Sequence, residues 1–346
     1  MNEASPEHTS SSVPATEHSI ARLIRRAEET TIPWIVEGLW QEGGIAIVHS
    51  LEEEFKSVFS YQMAEAVASG LPLLRTFKVP KGRRVGIFET EMDDLEVGKR
   101  LSRMYPRKDF PEKLIVSDGE LIKEFRRETT LQTKIECVGK WIRQNTIEVL
   151  VWDTINSVLA ATEPNSEIGV SRFFDQLALL PLKGVLLVRH DAKPSKDSVN
   201  RSSNQLVRGS NRLVEDASLV IHLRRQDKAQ NKVRLEIGKL RNAPKPDPAE
   251  LWFDIGTFRL TPLPPVAALL ESGPKARGEL IKEANERFGL KQRAVDEAIS
   301  EIRPILLDER DGHKLVLKLN PNAPHDASSP SLPWRSLLHR VRTLPG

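Results

Sequence analysis

Short apolar runs recur along this chain, and most are followed by a longer stretch whose apolar positions return every three or four residues. Residues 45–48 (IAIV) follow Gly43-Gly44 and read as a buried strand, and 84–88, 114–116, 148–152 and 184–188 are further strand candidates. Helices are predicted over 19–29, 56–69, 93–104, 131–143 and 165–180. The second of these stops at Gly70, and Asp93 suits an N-cap. A short helix over 211–216 and strands over 218–223, 232–240 and 251–253 follow. Strands alternating with helices predict an α/β fold with a mainly parallel sheet, whose strand C-terminal ends carry the chemistry.

The pattern changes after Thr261-Pro262-Leu263-Pro264-Pro265, a linker by composition. A helix starts over 266–270, and helices over 278–288 and 291–302 join at Gly289-Leu290. Apolar 305–307 and 315–317 flank Asp311-Gly312 as a hairpin. Helix, helix–turn–helix, hairpin is the order of a winged helix, here 266–320. Residues 18–260 form the larger domain. Segments 1–17 and 321–346, rich in Ser and Pro, are expected to be disordered.

Length and charge change this picture little. The chain has 346 residues, 39% of them apolar, and a net charge of +3, which permits nucleic-acid binding without arguing for it. One cysteine, Cys137, excludes an internal disulfide and a Cys-based zinc site. No signal pattern and no long apolar run is present, so a cytoplasmic protein without a membrane span is expected.

Candidate chemistry begins where strand 45–48 turns into helix 56–69. Strand, loop, Lys56-Ser57, helix is the layout of a phosphate-binding P-loop, G-x-x-x-x-G-K-[ST]. In such a loop the glycines let backbone N–H groups curl around phosphate, and the helix N-terminus adds positive charge. Here Ser50 and Phe55 hold the glycine positions, with Glu52, Glu53 and Glu54 between them. Phe55 is poorly suited to positive φ, and three carboxylates would repel a triphosphate. They would occlude the pocket, pair with Lys56, or simply be solvated. Other strands end at Glu89-Thr90-Glu91-Met92, at Asp153-Thr154 and at Arg189-His190-Asp191.

Set side by side, these ends resemble the RecA-type ATPases of the plasmid RepA replicative-helicase group, relatives of the DnaB helicases, over roughly residues 30–260. The stretch Pro33-Trp34-Ile35-Val36-Glu37-Gly38-Leu39 is similar to the family's lead into its first strand. The resemblance implies a RecA-like P-loop core using ATP and Mg²⁺. Lys56 and Ser57 would hold phosphate and metal, Asp153 would hold Mg²⁺, and Glu91 would polarise water. His190 with Lys193 resembles the strand-end histidine and its following basic residue. Arg208 lies in an Arg-Gly-Ser segment like the family's. Lys239 and Arg241 resemble the K-x-R-N finger that enters a neighbouring subunit's site, which implies a ring or filament. Taken singly, Lys56 is a first-turn lysine, Glu91 an acid at a helix start, His190 a strand-end packing residue, and Arg208 and Arg241 surface arginines.

In the C-terminal segment, Lys291 and Arg293 open the helix that would read DNA, with Arg310 and Lys314 on or beside the wing. Asp296, Glu297 and Glu301 on the same helix weaken that reading. The function expected is a RecA/RepA-like ATPase-family protein acting on DNA in replication or maintenance of a plasmid or mobile element. Its glycine-less loop implies impaired or lost nucleotide binding. The alternatives are a catalytically silent DNA-bound scaffold and a winged-helix transcriptional regulator.

Overall fold

The structure, a computed structural model, describes residues 20–159, 167–191, 212–227, 231–303, 306–311 and 314–320. The chain divides at Pro33 into two units. The first contains α1 (Ile20–Glu29), a helix whose Arg26 stands in its last turn. The rest of the description concerns the second unit.

From Trp34 the chain makes a small antiparallel pair, β1 (Trp34–Val36) and β2 (Trp40–Gln41). It then enters β3 (Ile45–Ser50) and α2 (Lys56–Ser69). Then come β4 (Val85–Glu89), α3 (Asp94–Met104), β5 (Leu114–Val116), α4 (Gly119–Arg127), α5 (Leu131–Gln144) and β6 (Val149–Asp153). After α6 (Asn156–Leu159) and α7 (Glu167–Ala178), β7 (Gly184–His190), α8 (Arg212–Asp216) and β8 (Leu219–Asp227) complete the alternation. An antiparallel extension follows: β9 (Lys232–Leu240), β10 (Ala249–Asp254) and β11 (Arg259–Thr261). The nine-stranded sheet has the order β11-β10-β9-β8-β3-β7-β6-β4-β5, and every pairing from β8 to β5 is parallel. The mainly parallel α/β fold read from the sequence is therefore present.

Continuous apolar strands work here because both faces are covered. Ala46, Val48, Val85, Ile87, Val149 and Val151 pack beneath α2 with the β9–β11 extension. Their alternates Ile47, Phe88, Leu150, Trp152 and Leu187 face α4, α5 and α7. Each such side chain, fully buried, contributes roughly 1.5–3 kcal/mol. Trp152 anchors the second core edge-to-face against Phe88 and Phe173, with centroids 5.3 Å and 5.9 Å away. The β1–β2 pair closes on β7 at Gly184, where an added Cβ would lie 2.3 Å from Ile35 Cδ1.

Thr261 ends β11 and Pro265 begins α9 (Pro265–Leu270), so the proline-rich junction holds little free chain. Next come β12 (Lys275–Ala276), α10 (Arg277–Phe288), α11 (Gln292–Ile302), β13 (Leu306–Asp311) and β14 (Lys314–Leu319), with sheet order β12-β14-β13. The expected helices and hairpin are present, with β12 added. This segment has its own core, including Val266, Leu280, Phe288, Val295 and Leu317. Arg287 of α10 ties it to the main sheet by pairing with the carboxylate of Asp254, and the Ile255 N–H donates to the Arg287 carbonyl at 2.8 Å. Among the described residues no helix is long and apolar enough to cross a membrane.

Candidate functional site

The loop after β3 takes the bend that its sequence argues against. Glu53 has φ +61° and Phe55 φ +68°, left-handed values that cost a non-glycine residue roughly 1–2 kcal/mol each. The expectation that Phe55 would resist positive φ is thus corrected. The reason is tertiary: the Phe55 ring stacks on Phe253 of β10 at 4.3 Å, and the Arg225 guanidinium lies 5.2 Å from its centroid. The expected ion pair between the glutamates and Lys56 is absent among the described residues. Lys56, buried, instead donates from Nζ to the Leu51 carbonyl at 2.7 Å. Glu52 and Glu53 are exposed, and Glu54 alone turns in, accepting from the Leu51 N–H at 3.2 Å. Burial pushes the Glu54 carboxyl up, and it lowers the Lys56 ammonium.

The bend leaves a row of donors. Among the described residues, the backbone N–H groups of residues 53–57 have no hydrogen-bond partner, and the α2 N-cap has no side-chain cap. Consecutive free N–H groups at a helix start form an anion-binding nest.

Three carboxylates face this nest. Asp153, at the end of β6, is 1% exposed; the Ser57 hydroxyl hydrogen-bonds to it, and its Oδ2 has no partner. Burial first, and Glu89 next, push the Asp153 carboxyl up to about 8. Glu89, its cross-strand partner on β4, accepts from the Tyr61 hydroxyl at 2.9 Å and from the Glu91 and Met92 N–H groups at 3.0 and 3.2 Å. Glu89 is thus saturated, and it shapes the turn that carries Glu91. Glu91 accepts from the Thr154 hydroxyl at 2.7 Å, and His190 Nε2 lies 3.2 Å from the same oxygen. The His190 hydrogen bond holds the Glu91 carboxyl below its ordinary range. Lys56, Ser57, Glu91, Thr154 and His190 line one cavity of about 480 Å³, with Phe55, Phe253 and Phe258 on its apolar wall.

Beneath the bend lies a second cluster. His49 of β3 stacks on its register partner His222 of β8 at 4.6 Å, and Asp191 lies 2.6 Å from His49 Nδ1 and 3.3 Å from His222 Nε2. All three are buried, with donor atoms near enough to hold a cation. Their ring planes, however, differ by only 12°. An imidazole binds metal within its own plane, and nearly parallel planes cannot share one ion. The cluster is therefore a hydrogen-bonded brace across β7, β3 and β8. Burial pushes the Asp191 carboxyl up, but hydrogen bonds from His222 and His49 outweigh this and hold it low.

Of the residues singled out from the sequence, Lys56, Ser57, Asp153, Glu91 and His190 come together. Lys239 and Arg241 do not join them: Lys239 Nζ donates to the Val214 and Glu215 carbonyls at 2.8 and 2.6 Å, and Arg241 donates to Glu215 at 2.7 Å. Arg208 and Lys193 lie outside the described residues. Arg293 is exposed and pairs with Glu297 at 2.9 Å, Lys291 caps α11 without a side-chain bond, and Arg310 is exposed on β13. Lys314 opens β14. Sequence reasoning missed Glu89, Asp191 and Arg225. Glu89 and Asp191 stand beside residues it named at the same strand ends, which was the available signal.

Residues 11–196 match the family AAA_25, described as an AAA domain. No curated protein matches the chain. Among solved structures, a helicase-sized neighbour described as an ATPase domain is 15% identical with a TM-score of 0.50, over 72% of this chain and all of that one. A DnaB-like replicative helicase, studied with primase, is 14% identical with a TM-score of 0.50, over 71% of this chain and 68% of its own. At such identity the likeness is one of fold.

Proposed function

The chain belongs to the AAA domain family, with a RecA-like helicase-type core, and on that premise we propose that it binds and hydrolyses a nucleoside triphosphate. The observation that carries this reading is the row of free N–H groups over 53–57, set against Lys56 and the unpartnered Asp153 Oδ2. A decayed loop has no reason to keep a costly left-handed bend whose product is an anion nest.

The residues fit a Mg²⁺-bound phosphate tail. Ser57 and Asp153 would hold the ion, which supplies charge neutralisation. Lys56 exchanges its contact with the Leu51 carbonyl for phosphate oxygens. Glu91, kept ionised by His190, orients a water for in-line attack, and the bond to the terminal phosphoryl group breaks as the water's oxygen bonds to phosphorus. The finger residues Lys239 and Arg241, remote from this chain's own cavity, act across a subunit interface in a ring or filament.

DNA is the proposed partner, in replication or maintenance of a plasmid or mobile element, through a C-terminal winged helix. Support comes from exposed Lys291, Arg293 and Arg310. The exposed Arg293–Glu297 pair opposes it by no more than about 1 kcal/mol.

Calorimetry with Mg-ATP and Mg-ADP tests the reading. Binding should be lost in Lys56→Ala; no binding by the wild type at millimolar nucleotide would leave the silent-scaffold alternative. For DNA, duplex and single strands across a salt series should give a steep slope, reduced by about one for each phosphate-contacting cation removed.

A further inference from the structure

Two neighbouring residues of the nucleotide loop reach away from the nest and grip distant strands. Glu54 accepts the Leu51 N–H at 3.2 Å and also the backbone N–H of Arg225 on β8. Phe55 stacks on Phe253 of β10, whose other neighbour is Phe258 at 5.4 Å. The Arg225 guanidinium completes the enclosure of the Phe55 ring. A glycine loop has no side chains with which to make such contacts. It bends because glycine tolerates positive φ, whereas this loop bends with L side chains at Glu53 and Phe55. Such a conformation persists only where its surroundings determine it.

We propose that Glu54 and Phe55 are positioning residues that latch the phosphate-binding bend to β8 and β10, so that nucleotide affinity depends on the antiparallel half of the sheet. The inference rests on the nucleotide reading above and reverses the expected role of the glutamates. Glu54 holds the nest open from behind. Its carboxylate is committed to two backbone donors outside the row 53–57, and it does not compete for that row. Glu52 and Glu53 face solvent and take no part. The β8–β10 layer also leads, through β9, to Lys239 and Arg241, so a neighbouring subunit that engages those residues would bear on the same latch.

The sign of one substitution separates a latch from a plug. Mg-ADP affinity would be measured by calorimetry on the full chain and on Glu54→Ala, Glu54→Gln, Phe253→Leu and Glu52→Ala. A latch predicts at least tenfold weaker binding in Glu54→Ala. It predicts rescue to within about threefold in Glu54→Gln, whose carbonyl still accepts both N–H groups. Phe253→Leu keeps the apolar contact but loses the ring stack, and should weaken binding severalfold. Glu52→Ala should match the wild type. Tighter or equal binding in Glu54→Ala would overturn the latch while leaving the nucleotide site standing. Absence of binding in the wild type and every variant would remove the site itself, and the latch with it.

Discussion

Replacing Asp153 with asparagine should stabilise the protein most where it disables it. The side chain is 1% exposed, and burial together with Glu89 raises its carboxyl from 3.8 to about 8. The folded state therefore keeps a proton that the unfolded chain releases near its ordinary value. Protons bound in the folded state exceed those in the unfolded state throughout that window, so stability falls as pH rises through it and levels off above the folded value. From about pH 5 to the folded value is about three pH units at ~1.4 kcal/mol each, a loss of roughly 4 kcal/mol. Asparagine keeps the shape and the acceptor for Ser57 but cannot ionise. The advantage of Asp153→Asn over wild type should thus grow by roughly 4 kcal/mol between about pH 5 and about pH 9, with EDTA present. Urea midpoints at the two pH values measure it. An advantage that is the same at both would refute the buried, proton-holding carboxyl. The same variant should lose the Mg²⁺-dependent part of its nucleotide affinity, as expected of a site that sacrifices stability for function.

Mg-nucleotide affinity itself should rise about tenfold per pH unit below the Asp153 value and then flatten, with about one proton released per complex. Calorimetry in buffers of different ionisation enthalpy counts that proton. Gly184→Ala drives a methyl group into Ile35 and Trp40, and should cost about 1–3 kcal/mol in thermal or urea unfolding. Arg287→Ala leaves the buried Asp254 carboxylate with only the Gly256 and Thr257 N–H groups. A loss of about 3–5 kcal/mol is expected, with faster proteolysis near residues 261–265.

Much of the fold was legible because its signals are local. Apolar runs bounded by glycine or charge marked β3, β4, β6 and β7, and Gly70 marked the end of α2. The pieces missed were short: β1, β2, β11 and β12 have two or three residues each, too few to show a period. Helix α4 was missed despite its Asp118 N-cap, which accepts from the Leu121 N–H.

At the site the division has the same cause. The sequence alone determined that Lys56, Ser57, Asp153, Glu91 and His190 would meet, because parallel strands carry their C-terminal ends to one edge. It could not determine the shape of the loop. Positive φ at Phe55 is unfavourable in isolation and acceptable only against Phe253 and Arg225, from strands that follow much later in the chain. The direction of Glu54 depends on a backbone donor of β8, and the charge of Asp153 on burial beside Glu89. Local sequence specifies which backbone groups could bend. Only the tertiary structure supplies the packing that offsets the strain of bending them.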